Sequence, residues 1–282
     1  MKKRTDLALE AKQLWERSAG KTARLEGVAA KSSKRFRFSL TKVDILNDKG
    51  VEALGKPVGQ YITMELGSQE LRGRDADHAA RTLSELLSGL MRLKKDESVL
   101  VVGLGNREVT PDAVGPSSVS GILLTRHLIR HLPDQFGDFR SVCAVCPGVL
   151  GSTGFESLEL VNAAMEKSKP DKVIVIDALA SCDADRLLST IQLTDTGIVP
   201  GSGIGNSRAA FNRNTVGVPV FAIGVPTVMD LEACSEQVQK NHLMVTPRNI
   251  DTMVRTVSKI VANGINQTLY DRLSSDEIAQ FV

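Results

Sequence analysis

The chain has 282 residues, 42% of them apolar and 24% charged, which are globular proportions that exclude a disordered or fibrous protein. The net charge of +2 is uneven, with 13 Lys and Arg against 6 Asp and Glu in residues 1–50 and 22 against 27 in the remainder. Only 4% of residues are aromatic, so platforms for stacking bases are scarce and direct nucleic-acid binding is not expected. No apolar run approaches the length of a membrane span, and the leading Met1-Lys2-Lys3-Arg4-Thr5-Asp6 contains no apolar signal core. A cytoplasmic protein is expected.

The pattern predicts a helix over residues 5–19, with Thr5 as N-cap and Leu7, Ala11, Leu14 and Trp15 on its apolar side. Phe36, Phe38 and Leu40 alternate with polar residues as in a half-buried strand, and a second strand is expected from Tyr61 to Leu66. Leu83, Leu86, Leu87 and Leu90 then have the spacing of an amphipathic helix. From residue 98 the strands become short and continuously apolar: Val99–Val102, Val142–Val145, Val173–Ile176 and Val218–Ile223. Such runs are buried on both faces, the signature of a mainly parallel sheet covered by helices. A last helix is expected from Pro247, capped by Thr246, with Ile250, Met253, Val254, Val257 and Val261 on one side. The expected organisation is a single α/β domain over residues 1–282, in which an N-terminal helix and a small antiparallel β element (1–95) pack on a catalytic α/β core (96–272). Cys143 and Cys146 fall on a strand, where side chains three apart diverge, so they read as buried structural cysteines rather than a zinc pair.

In an open α/β sheet, ligands bind beyond the carboxyl ends of the strands. Gly103-Leu104-Gly105-Asn106 leaves the first such strand, but Glu108 replaces the third glycine of a dinucleotide fingerprint and Pro111 interrupts the helix that should follow. No nucleotide cofactor is expected. His127 and His131 have ligand spacing without the glutamate of a zinc hydrolase, and Ser202 in Gly-Ser-Gly lacks a nucleophile elbow. Asp112 and Asp177 each lie at or just beyond a strand end. By spacing alone, each reads either as a cap or as half of an acid/base pair sharing one crevice. Asp195-Thr196-Gly197 taken alone has no second copy to make a symmetric aspartic protease, and the run from it to Asn206 reads as a surface loop or as a groove lining.

Several motifs, in order along most of the chain, resemble the germination proteases of endospore-forming bacteria. They include Arg4-Thr5-Asp6-Leu7-Ala8, Tyr61-Ile62-Thr63-Met64-Glu65, Val102-Gly103-Leu104-Gly105-Asn106 and Val109-Thr110-Pro111-Asp112-Ala113-Val114-Gly115-Pro116. Ile176-Asp177-Ala178-Leu179-Ala180, Asp195-Thr196-Gly197-Ile198 to Asn206, and Leu243-Met244-Val245-Thr246-Pro247 continue the series. The resemblance implies an unusual aspartic endopeptidase, needing no metal or cofactor, that cleaves small acid-soluble DNA-protecting spore proteins during germination. It implies a homotetramer in the spore core. The catalytic aspartates would be Asp112 and Asp177, with Gly105, Asn106, Asp195, Thr196, Gly197, Ser202 and Asn206 supporting them or lining the substrate groove. The core is also similar to that of the hydrogenase-maturation endopeptidases, so a metal-dependent peptidase is the rival reading, with a non-catalytic binder behind it. Family members carry a propeptide before Arg-Thr-Asp-Leu-Ala and a long segment where Met229–His242 stands here. With only Met1 to Lys3 ahead of that motif, the protein is expected to be active as synthesised, restrained by something other than propeptide removal, or missing a regulatory step of its relatives.

Overall fold

The computed structural model describes residues 5–19, 25–67, 71–205, 208–231, 243–270, 273, 275–278 and 280–281. The N-terminal part contains α1 (Ala8–Ala19), β1 (Val28–Arg35), β2 (Phe38–Ile45), α2 (Asp48–Leu54), β3 (Gly59–Glu65) and α3 (Arg74–Met91). The remaining strands are β4 (Val99–Gly103), β5 (Val142–Val145), β6 (Lys172–Ala180), β7 (Thr190–Thr194), β8 (Val220–Asp230) and the short β9 (Met244–Val245). A short helix α4 (Val114–Val119) follows β4, and longer helices span Ser157–Ser168 and Ile250–Leu269. Among the described residues, no helix is long and apolar enough to cross a membrane.

The sheet runs β1-β2-β3-β7-β8-β6-β4-β5, with β9 pairing the far end of β8. The continuously apolar strands β8, β6, β4 and β5 are parallel to one another, and β1, β2, β3 and β7 extend the same sheet antiparallel from β8. The expected antiparallel element is thus joined edge to edge with the parallel strands through β7.

Strand alternation sends side chains to two differently covered faces. On the first face Phe38, Met64, Ile174, Ile176, Ile191, Leu193 and Ile223 form one cluster with α3 and the helix Ile250–Leu269. The second face carries two separate clusters. Over the parallel end, Leu100, Val102, Val173 and Val175 meet Val161 of the helix Ser157–Ser168. Over the antiparallel end, Val43, Ile45 and Tyr61 meet Ala8 of α1 and Leu54 of α2. Between these clusters, above β7 and β8, the second face is open.

Several local expectations are corrected. The strand read at Phe36–Leu40 straddles a tight turn: β1 ends at Arg35, Phe36 takes a left-handed φ of 51°, and β2 begins at Phe38. The first helix begins at Ala8, because Asp6 is held against Ala180 at the end of β6. The helix near the C-terminus begins at Ile250, and Thr246 donates to the Thr227 carbonyl (2.9 Å) instead of capping it. The two cysteines are not both buried: Cys143 is half-buried and Cys146 is exposed, because β5 is the edge strand and Cys146 lies just past its end.

The helix Ile250–Leu269 is tied to the loop after α4 by Asn266, which is buried. Its Oδ1 accepts from the Leu123 N–H (3.0 Å) and its Nδ2 donates to the Gly121 carbonyl (2.8 Å). Asn266→Ala would orphan both backbone groups, and the expected loss is about 2 kcal/mol in urea unfolding. A change within about 0.5 kcal/mol, the range of neutral surface substitutions, would contradict this role.

Candidate active site

The next parallel strand after β4 in sequence, β5, lies on one side of it, and β6 lies on the other. The carboxyl ends of β4 and β6 therefore flank the topological switch point, where an α/β sheet opens a crevice. As the chain leaves β4, the Leu104 N–H donates to the Ile176 carbonyl (2.9 Å) and keeps the exit against β6. Gly105 follows with φ 109°, and a Cβ there would overlap the Asp112 carbonyl oxygen. The loop doubles back through a 3-10 turn, Thr110–Asp112, so that Asp112 Oδ2 accepts from the Asn106 N–H (2.7 Å). The Asn106 side chain braces the turn by accepting from the Glu108 N–H (3.0 Å). α4 then starts so close to both strands that a Cβ on Gly115 would overlap the Leu104 carbonyl and stand 2.7 Å from that of Ile176.

Asp177 lies within β6 and, with Val173 and Val175, faces the second side of the sheet. It is 5% exposed, and Oδ1 accepts from the N–H of Ala178 (2.9 Å). Burial pushes its carboxyl well above the usual carboxylate range, and the nearby charges of Asp112 and then Asp6 push the same way. Asp112 is half-buried and also raised by burial, but its bond from the Asn106 N–H opposes that rise. The structure therefore brings together the two aspartates singled out in the sequence; both environments favour the proton, strongly at Asp177 and less at Asp112, where the Asn106 N–H opposes the rise. Among the described residues, no group of three or more His, Cys, Asp or Glu side chains is arranged to hold a metal ion.

The open strip of the second face is a cleft of about 750 Å³. Gln192 and Thr194 of β7 and Ala222 and Gly224 of β8 line it, and its rim includes Trp15, Lys56, Tyr61 and Thr196. Leu179, two residues beyond Asp177 and on the same face, also lines it, and Gly224 is the register partner of Asp177. The cleft thus reaches the edge of the aspartate pair without including either carboxyl in its lining.

The other expected site residues divide. Asp195 is exposed and accepts from the Gln60 N–H (2.8 Å), closing β7 onto the start of β3. Thr196 shares hydrogen bonds with Thr194 (2.9 Å) and Tyr61 (3.2 Å) at the cleft rim. Gly197 packs against the Phe211 carbonyl, which leaves no room for a Cβ. Ser202 lines the cleft and donates to Asp6 Oδ1 (2.5 Å), while Asn206 lies outside the described residues. Asp6, Lys56 and Gln192 line the cleft without having been singled out for a role; the one sequence signal was the motif that contains Asp6.

The family model for germination proteases matches residues 8–240. The chain is 42% identical to the germination protease of Caldanaerobacter subterraneus subsp. tengcongensis, over 99% of this chain and 98% of that one. It is 37% identical to that of Clostridium tetani over the full length of both, and 34% identical to that of Bacillus velezensis over 97% and 95%. Among solved structures, a [NiFe] hydrogenase maturation protease from Thermococcus kodakarensis covers 65% of this chain and 98% of its own, at 15% identity and a TM-score of 0.37. The protein is thus a protease, a hydrolase of α/β architecture. The chain belongs to the germination protease family.

The buried carboxyl sets a stability test. Asp177 holds its proton more tightly folded than unfolded, so folding loses stability as pH rises from the ordinary aspartate value toward the raised one. Asp177→Asn copies the protonated shape and has no such loss. The variant is expected to melt higher than wild type at neutral pH, with the advantage vanishing as pH falls below about 3.8. A variant that melts lower than wild type at neutral pH would contradict the raised carboxyl.

Proposed function

We propose that the protein is an endopeptidase that initiates degradation of small acid-soluble spore proteins during germination, by a two-aspartate reaction without a metal. The same reading makes it a homotetramer in the cytoplasm of the spore core. The observation that carries it is the pairing of buried, proton-retaining Asp177 with half-buried Asp112, whose charge is favoured by the Asn106 N–H, at the switch point beside an open cleft.

In this reading Asp112 takes a proton from water as the water oxygen attacks the scissile carbonyl carbon, and Asp177 passes its proton to the carbonyl oxygen. The tetrahedral intermediate collapses as its hydroxyl returns a proton to Asp177. The C–N bond breaks, and the leaving nitrogen takes the proton held by Asp112. Both carboxyls end as they began. The cleft over β7 and β8 receives the extended substrate chain, presenting apolar Trp15 and Leu179 alongside the polar Gln192 and Thr196.

Asp112→Asn and Asp177→Asn are each expected to reduce cleavage of a small acid-soluble spore protein by at least about a thousandfold with the fold intact, whereas exposed Asp195→Asn should cost far less. Near-wild-type cleavage by either of the first two would overturn the assignment. In the same assay, EDTA is expected to leave the rate unchanged. Loss of activity on chelation, restored by a divalent cation, would favour the metal-dependent reading.

A further inference from the structure

The Arg-Thr-Asp-Leu-Ala motif has no part in the chemistry described so far, yet the structure carries its aspartate to the end of the catalytic strand. Residues 5–7 run beside the last residues of β6: the Asp6 N–H donates to the Ala180 carbonyl (3.2 Å), and Asp6 Oδ2 accepts from the Ala180 N–H (2.9 Å). Asp6 Oδ1 accepts from Ser202 Oγ (2.5 Å), and a Cβ on Gly203 would overlap Oδ2, so both carboxylate oxygens are fixed. Gln192 braces the segment from below, accepting from the Ala8 N–H (2.7 Å) and donating to the Asp6 carbonyl (3.2 Å). One turn on, the buried Glu10 grips the next residues of the chain, accepting from the Cys182 N–H (2.9 Å) and from Ser181 Oγ (2.5 Å). Two carboxylates of the N-terminal segment thus hold residues 180–182, the last residue of the strand that carries Asp177 and the two that follow it.

We propose that Asp6 is a positioning residue of the active site, a third carboxylate that fixes the end of β6 beside Asp177. The proposal rests on the two-aspartate reading. The charged groups around the pair are Asp112 from the β4 exit loop and Asp6 from the N-terminal segment, both facing Asp177. Lys56, from the turn before β3, feels the charges of both Asp6 and Glu10, and its Nζ donates to the Thr5 carbonyl (3.2 Å). Removing the Asp6 charge removes one of the repulsions that favour protonated Asp177, so Asp177 loses its proton at lower pH.

The test is the pH profile of kcat/KM for full-length Asp6→Asn, which keeps the shape and the acceptor oxygen of the side chain but not its charge. The alkaline limb is expected to move to lower pH, costing about tenfold on the alkaline side while the acid-side rate stays within about twofold. Gly203→Ala gives a second route. Its methyl group would overlap the Asp6 carboxylate and press on the Ala180 Cβ, displacing Asp6 without altering residues 5–7, and the limb is expected to shift in the same direction. It decides the matter if Asp6→Asn fails to fold. A profile of unchanged shape, merely scaled down, would make Asp6 only a structural tie and overturn the proposal. A folded Asp6→Asn that is inactive at every pH would overturn it by making Asp6 a reacting group. Failure of the two-aspartate reading itself would appear separately, as activity in Asp112→Asn or Asp177→Asn.

Discussion

A carboxyl on a central strand of a buried sheet cannot ionise without losing hydration that the protein must replace, and at Asp177 the hydrogen bond from the Ala178 N–H replaces little of it. Much of the surrounding structure deepens that imbalance. The close approach of the β4 exit loop to β6, which Gly105 and Gly115 permit, brings a second carboxylate near the first. The Asn106 N–H then favours charge on Asp112 and so separates two chemically identical groups into unlike partners. The cost to folding is the counterpart of a proton kept available where the substrate carbonyl would lie.

The sheet's division of labour explains why an open space lies beside that proton. Its first face is closed by a continuous cluster against α3 and the helix Ile250–Leu269, which makes it the rigid side. The second face is closed only at its two ends, by separate clusters, and the strip between them is the cleft. The strip stays open because β7 and β8 present Gln192, Thr194, Ala222 and Gly224 there, two polar side chains and two of the smallest residues, in place of large apolar ones. The joining of antiparallel to parallel strands through β7 therefore shapes the groove as well as extending the sheet.

Much of this was legible in the sequence for physical reasons. Continuous apolar runs such as Val99–Val102 have to be buried on both faces, and that located the parallel strands and the exit where Asp112 stands; Asp177, expected at or beyond a strand end, lies inside β6, because pairing with β8 carries that strand on to Ala180. Other features left no local signal. The Phe36-Arg37 turn contains no Gly, Asn or Asp, so the alternation appeared to run through it. β7 was not anticipated because Thr190, Gln192 and Thr194 look like surface residues; Gln192 is buried because it bonds to a segment nearly two hundred residues away. The same distance hid Asp6, whose partners Ala180 and Ser202 meet it only in the folded chain.

Asp177 keeps its proton where ordinary carboxylates have lost theirs, and Asp112 gives up its own first. Titrating the folded protein with 13C-labelled aspartate carboxyls, and assigning the two resonances by their loss in Asp112→Asn and Asp177→Asn, tests this directly. The Asp177 resonance is expected to titrate well above the ordinary aspartate range and above that of Asp112, and its midpoint to fall when Asp112 is replaced by Asn. An Asp177 resonance that titrates in the ordinary range, or that does not respond to loss of the Asp112 charge, would contradict it.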